Sequence, residues 1–293
     1  MKLRKSIGER VFDGSITFFL ILAMMITLYP FIYIFSMSIS DPNEVASQSI
    51  WLLPKGFSLD SYKIAFENPD LWRSYYNTLW YTIIGTALNV FMTIMGAYPL
   101  SRRNFQLRHF FMVVIAITMF FSGGLIPMFI LINKLHLYNT RWALIIPGAV
   151  SAWNLVLARV FFQSTIPDSL PEAAKLDGCS EGGILFRIVM PLSMPIIAVL
   201  TLYYAVGHWN SYFGALLYLP NPKLQPVQIY LMKVLIEQTE EALGGMQDVG
   251  ARSMLAAQMK YTIIIIVVLP ILCVYPFLQK YFVKGVMIGA IKE

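Results

Sequence analysis

Three residues separate Glu172-Ala173-Ala174 from Gly178, and Ile188 and Pro191 follow at a distance that a short second helix would fill. These residue types suit mechanical docking. Ser169 and Glu172 have capping-box spacing, and Pro171 falls in the first turn, where its missing N–H costs little. Leu170 to Asp177 are therefore expected to make two helical turns. Gly178 can take the left-handed conformation that ends them, and a second helix is expected from about Ser180 until Pro191 stops it. Ala173 and Ala174 let another surface approach the backbone, while Leu170 and Leu176 offer an apolar knob.

A second group of residues has binding chemistry. Tyr203, Tyr204, Gly207, His208, Trp209, Asn210, Tyr212 and Phe213 crowd one otherwise apolar stretch. Aromatic faces can stack on the C–H patches of sugars while Asn, His and Tyr meet hydroxyls. Two readings stay open. These residues line a substrate path, or they mark a membrane interface, with Gly207 serving close helix packing. If they line a path, Trp209 and Tyr212, three apart on a continuous helix, would share the sugar-facing side with Asn210 flanking it.

Catalytic readings find little support. His109, His136 and His208 have no His-x-x-His, Cys-x-x-Cys or Glu-x-x-His neighbour, so no metal site is expected. Ser122-Gly123-Gly124 has no companion base. Cys179 and Cys273 lie at different levels and are not expected to pair. No Gly-x-x-x-x-Gly-Lys-Ser/Thr occurs, so the chain carries no ATP motor and needs no cofactor of its own; any ATP-Mg belongs to a partner.

The elements that must position these groups are membrane helices. Of the 293 residues, 57% are hydrophobic and 13% charged. Six apolar segments can each cross ~30 Å of hydrocarbon: Ile16–Ser38, Tyr76–Tyr98, Phe110–Ile132, Trp142–Phe162, Ser193–Leu217 and Tyr261–Gln279. The first is too long for the apolar core of a signal peptide. Asp41–Ser74 contains Trp51, Phe57, Tyr62, Phe66 and Trp72 and is expected to pack on the bundle, and Asn221–Gln258 stays open between a loop that meets a partner outside and a connector with a short interfacial helix at Ile229–Thr239.

Six spans put both termini on one face, together with the glycine-broken loop. That face holds thirteen Lys and Arg against seven acids, so the whole formal charge of +6 lies there. The positive-inside rule makes it cytoplasmic. The pI of 9.2 then needs no nucleic-acid partner. No Asp or Glu falls within the spans, and His208 and Arg159 are the ionisable candidates at depth. Ion-coupled carriers commonly place carboxylates there, which disfavours the main alternative, a secondary transporter.

The loop resembles the EAA loop of importer permeases of ATP-binding-cassette transporters: Glu-Ala-Ala, three residues, Gly, nine residues, Ile, any residue, Leu, Pro. Met190 replaces the Leu, a mild change of shape. The resemblance implies an all-α membrane protein of the type I importer permease fold with six transmembrane helices. Glu172, Ala173, Ala174, Leu176, Asp177, Gly178, Ile188 and Pro191 would couple it to an ATPase. Gly207-His208-Trp209-Asn210, Ser122-Gly-Gly-Leu-Ile-Pro127 and the tail from Tyr281 to Lys292 are similar to the carbohydrate branch. There the similarity runs to oligosaccharide and polysaccharide permeases, related to the second permease of maltose importers and compatible with the smaller permease of alginate-oligosaccharide importers.

The resemblance further implies a second permease forming a heterodimer, two ATPase subunits, an extracellular solute-binding protein and a bacterial plasma-membrane location. It divides the chain into 1–71 (cytoplasmic start, first span, extracellular segment), 72–282 (transmembrane domain, coupling loop at 165–191) and a tail at 283–293. In a background lacking both native cysteines, single cysteines at Ser6, Ser180 and Lys292 should react with an impermeant reagent only from the cytoplasm, and those at Ser61 and Gln247 only from outside. Reaction at Ser180 in intact cells would overturn the orientation.

Overall fold

The computed structural model describes residues 7–236 and 249–290, and every regular element among them is helical. The chain forms two compact units.

The first unit holds α1 (Ile7–Ser38), α2 (Pro42–Ala46), α3 (Asp60–Glu67) and the early part of α14 (Val249–Ala290). Asp41 starts α2, its carboxylate accepting from the Asn43 amide at 2.8 Å, with Pro42 in the first turn. Gly56 sits at φ +65°, and a Cβ there would come within 2.9 Å of the Asp41 Cβ, so this turn needs glycine. Met37, Val45 and Ile50 form a small core with Tyr33, Ala257 and Tyr261 around it. Gln258 of α14 donates to the Ser38 carbonyl at 3.1 Å and the Ser40 carbonyl at 2.7 Å, and Ser61 bonds Thr262 at 2.7 Å. Tyr62 donates to the Ser38 hydroxyl at 2.9 Å. Burial pushes the Tyr62 phenol above its usual range, and that hydrogen bond opposes the shift.

These bonds hold the Asp41–Ser74 segment in place, but its large apolar side chains do not all pack as expected. Trp51 is 79% exposed and Phe57 72% exposed. Main-chain ties such as Asp41 N–H to the Lys55 carbonyl and Ser58 N–H to the Ile39 carbonyl set the path of the loop instead.

The second unit runs from Trp72 to Tyr230 with the chain from Pro270 onward. It contains most of α4 (Pro69–Ser101), α5 (Arg108–Phe120), α6 (Leu125–Lys134), α7 (Ala152–Thr165), α8 (Ser169–Leu176), α9 (Glu181–Ile184), α10 (Met190–Leu192), α11 (Met194–Trp209), α12 (Phe213–Tyr218) and the start of α13 (Val227–Ile236). Its main core joins Ile94, Ala97 and Tyr98 of α4 to Leu155, Ala158 and Phe162 of α7 and to Ile196, Leu200 and Tyr204 of α11.

Only α1, α4 and Ser253–Val274 within α14 are unbroken helices long and apolar enough to cross a membrane, among the described residues. The expected third span is α5 and α6 bent by 116°, because the chain leaves the helix at Phe121 and Gly124 adopts φ +84°. The expected fourth divides around Pro147-Gly148 into a tight turn at Arg141–Leu144 and the 14-residue α7, about 21 Å long at 1.5 Å per residue. The expected fifth ends its helix at Trp209 and restarts at Phe213. Pro30, Pro99, Pro270 and Pro276, by contrast, all lie inside continuous helices. A helix is present there, α13 at Val227–Ile236; Thr239 lies outside the described residues.

Gln258→Leu leaves the Ser40 carbonyl without its side-chain donor and the Ser38 carbonyl with only the long bond from the Thr262 hydroxyl at 3.5 Å. The change should cost about 1–3 kcal/mol, read as a lowered thermal midpoint of the purified protein. An unchanged midpoint would show that this side chain does not hold the first unit together.

Candidate functional site

The glycine break is built as a Schellman motif. Gly178 has φ +81°, the Cys179 amide reaches back to the Ala174 carbonyl at 2.9 Å, and the Gly178 amide bonds the Lys175 carbonyl at 3.0 Å. Nothing lies within 4 Å of where a Gly178 Cβ would stand, so only the backbone conformation demands glycine here. Beyond it, the Ser180 hydroxyl accepts from the Gly183 amide at 3.2 Å and starts α9. Leu185–Val189 then widens to i→i+5 hydrogen bonding. That slack helps accommodate Pro191, which has no N–H to give the Arg187 carbonyl. Across the break the Lys175 ammonium bonds the Glu181 carboxylate, which raises the lysine above its ordinary range.

The two helices have distinct faces. Pro171, Ala174, Ile184, Leu185 and Val189 are buried, whereas Glu172, Ala173, Asp177, Gly178 and Pro191 are exposed and Ile188 is half-buried. Leu176 is 90% exposed at the tip. The two alanines thus divide their work: Ala174 packs into the core and Ala173 faces outward. An exposed leucine next to a rigid turn is a knob without a socket among the described residues.

Ser169 does not cap α8 as its spacing suggested. With Ser169 as cap, the second helical residue would be Pro171, which has no N–H, and the Glu172 amide is already bonded to the Asp168 carbonyl at 3.3 Å. The helix begins one residue earlier, at an Asp168 whose side chain makes no cap. That carboxylate is held instead by Arg103 Nε at 3.1 Å and Arg102 Nη1 at 3.6 Å. Arg102 also donates to the Phe162 carbonyl at 3.2 Å and lies 5.3 Å from the centre of the Tyr98 ring. Sequence reasoning missed this tie. Its only signal is the Arg-Arg pair directly after the end of a span, facing an acid in the loop. A cleft of about 640 Å³ lies between these elements, lined by Tyr98, Arg102, Glu172, Lys175, Glu181 and Phe186 among others.

The aromatic stretch is arranged differently from a single helical face. His208 and Trp209 are buried, while Asn210 and Tyr212 are exposed. Because α11 ends at Trp209, Tyr212 stands beside Phe213 of the next helix, 6.3 Å between ring centres, and not below Trp209. Trp209 packs edge-on against Tyr75 at 6.2 Å. His208 fits against Gly85, where a Cβ would lie 2.5 Å from its Nε2, and Asn89 Nδ2 stands 3.2 Å from that nitrogen. Asn89 also donates to the Gly148 carbonyl at 3.2 Å. One α11 turn earlier, Tyr204 bonds Thr93 at 2.6 Å and accepts from the Ser151 amide at 3.1 Å. The close-packing glycine is therefore Gly85 in α4. Gly207 is exposed, with open space where a Cβ would stand.

Residues 89–288 match the family described as the binding-protein-dependent transport system inner membrane component. The chain belongs to that family. It is a permease subunit and not an enzyme, and the ATPase is a separate subunit. The permease is 41% identical over 285 residues to the polygalacturonan/rhamnogalacturonan transport system permease protein YtcP of Bacillus subtilis, covering 97% of this chain and 99% of that one. It is 42% identical to the protein LplC of the same organism, covering 97% and 95%. A chain from the crystal structure of a bacterial transporter involved in import of the acidic polysaccharide alginate superposes with TM-score 0.89 at 34% identity, covering 95% of the permease and 99% of that chain. The fold is that of a type I importer permease.

Gly178→Val forces a β-branched residue into positive φ and misaims Leu176. Transport should fall to background while the protein still inserts in the membrane. Near-normal uptake in this variant would remove the docking role of the loop.

Proposed function

We propose that this permease forms one half of the pore of an ATP-driven importer for acidic oligosaccharides, paired with a similar but distinct permease, two ATPase subunits and an extracellular binding protein. The observation that carries the substrate class is the near full-length similarity to two proteins named for acidic polysaccharides, polygalacturonan and alginate. The termini and the coupling loop face the cytoplasm, as the charge asymmetry supports. ATP closes the ATPases, and the segment Glu172–Pro191, seated on them by Leu176 and Ala173, moves with them. The membrane helices then alternate between outward and inward openings.

Within this reading the four aromatic-stretch residues take two roles. Tyr212 and Asn210, exposed at the break between α11 and α12, face the sugar path; His208 and Trp209, buried against α4, hold the end of α11 in place. Tyr212→Ala should slow uptake per assembled complex without reducing assembly. Trp209→Ala should instead lower the amount of assembled complex, since emptying a buried Trp site costs about 3–5 kcal/mol. Whatever assembles should transport near the normal rate.

The substrate class is tested by uptake of labelled oligogalacturonate in cells expressing the whole transporter, with neutral arabino-oligosaccharide as competitor. Uptake of the uronate, unaffected by the neutral sugar, is expected. Transport of the neutral sugar in its place would overturn the acidic class, and unchanged uptake in Tyr212→Ala would leave this half walling the pore while its partner holds the sugar.

A further inference from the structure

A second pocket, about 360 Å³, lies where the end of α4, the start of α5 and the end of α7 meet. Arg103, Arg108, His109, Arg159, Gln163 and Asp168 contribute its polar lining. Three guanidinium groups thus face one carboxylate, and that carboxylate is already bonded to Arg103 and shared with Arg102. Arg108 and Arg159 form no ion pair among the described residues. Arg159 is fixed by donating Nε to the Leu100 carbonyl at 3.0 Å, and Arg108 Nε approaches His109 Nε2 at 3.4 Å. The first turn of the 13-residue α5 opens here as well, and Leu107 before it provides no side-chain cap. The Arg108 amide is bonded to the Phe105 carbonyl at 3.2 Å, and the N–H groups that follow it in the turn add partial positive charge to the same place.

Such crowding of like charge at the edge of a low-dielectric slab is costly unless an anion occupies the centre. The flank of the pocket says which kind. Val113, one turn beyond His109 on α5, and Val160, next to Arg159 on α7, are both more than half exposed. A ligand seated among the arginines would therefore have apolar side chains leading away from it along a membrane helix. We infer that this pocket binds the phosphate or phosphodiester headgroup of an anionic membrane lipid, with its acyl chains running along the exposed face of α5. Arg108 and Arg159 supply the unspent cations, Arg103 completes the rim, and the α5 N-terminus donates main-chain hydrogen bonds. The same Asp168 that ties the coupling loop to α4 borders the site, so the bound lipid adjoins that tie.

The test uses the assembled transporter in nanodiscs of phosphatidylcholine mixed with phosphatidylglycerol, counting retained lipids by native mass spectrometry. Phosphatidylglycerol should be retained preferentially. Each of Arg108→Gln and Arg159→Gln should weaken that preference about fivefold, from roughly 1 kcal/mol per cation near an anionic lipid surface. Arg108→Lys should keep most of it, and Lys63→Gln, in α3, all of it. Should Arg159→Gln fail to assemble, Arg103→Gln, on an exposed side chain, serves in its place. A preference unchanged in the Arg108 and Arg159 variants would overturn the site. So would a thermal stabilisation by inorganic phosphate in detergent equal to that by phosphatidylglycerol, which would assign the pocket to a free anion. Loss of the preference on adding the ATPase subunits to the permease pair would assign it to a protein carboxylate and overturn the lipid equally.

Discussion

Main-chain carbonyls and amides exposed where a membrane helix stops must find partners, because hydrocarbon offers none. The chain meets this constraint repeatedly with one device, a side chain from a neighbouring helix that bonds the loose backbone. Gln258 takes two carbonyls at the end of α1, those of Ser38 and Ser40. Asn77 takes those of Lys223 and Gln225, and Tyr81 that of Leu224. Asn89 reaches Gly148, Tyr204 receives the Ser151 amide, Arg102 reaches Phe162 and Arg159 reaches Leu100. The polar residues scattered through apolar sequence are therefore mostly structural. They are what permits so many broken helices in one membrane protein.

The same device explains which sequence expectations fail. Hydropathy registers the apolar run from Phe110 to Ile132 but not the positive φ of Gly124 that folds it back on itself. It registers Trp142–Phe162 as one span because proline and glycine at 147 and 148 are tolerated in such runs, whereas here the chain leaves the helix and Asn89 and Tyr204 satisfy the freed groups. The shared face of Trp209 and Tyr212 fails for a related reason: helical spacing presumes a continuous helix, and α11 stops between them.

The glycine-broken loop is far more legible, since local rules determine it. A left-handed residue after two turns calls for glycine, and Gly178 forms the turn as its neighbours suggest. The exception is its start. Asp168 forgoes capping for Arg102 and Arg103, which come from more than sixty residues away in sequence. No local pattern contains that partner, whereas the glycine carries its own constraint with it.

Helix α4 is the element on which these ties converge. At one end Arg102 holds the loop through Asp168, and at the other Asn77 and Tyr81 hold the segment at 222–227. Between them, Gly85 and Asn89 receive His208, and Thr93 receives Tyr204. The Arg102 side chain is only 14% exposed, so drawing it away from Asp168 would leave a largely dehydrated cation without its anion. A push on the exposed face of α8 is thus resisted by α4 through charge and by α11 through the continuous chain of α9 and α10, and α4 and α11 are themselves hydrogen-bonded at two levels. The loop can move easily only if α4 and α11 move with it. That is the property required of a coupling element, and it depends on a pair of arginines placed immediately after a span.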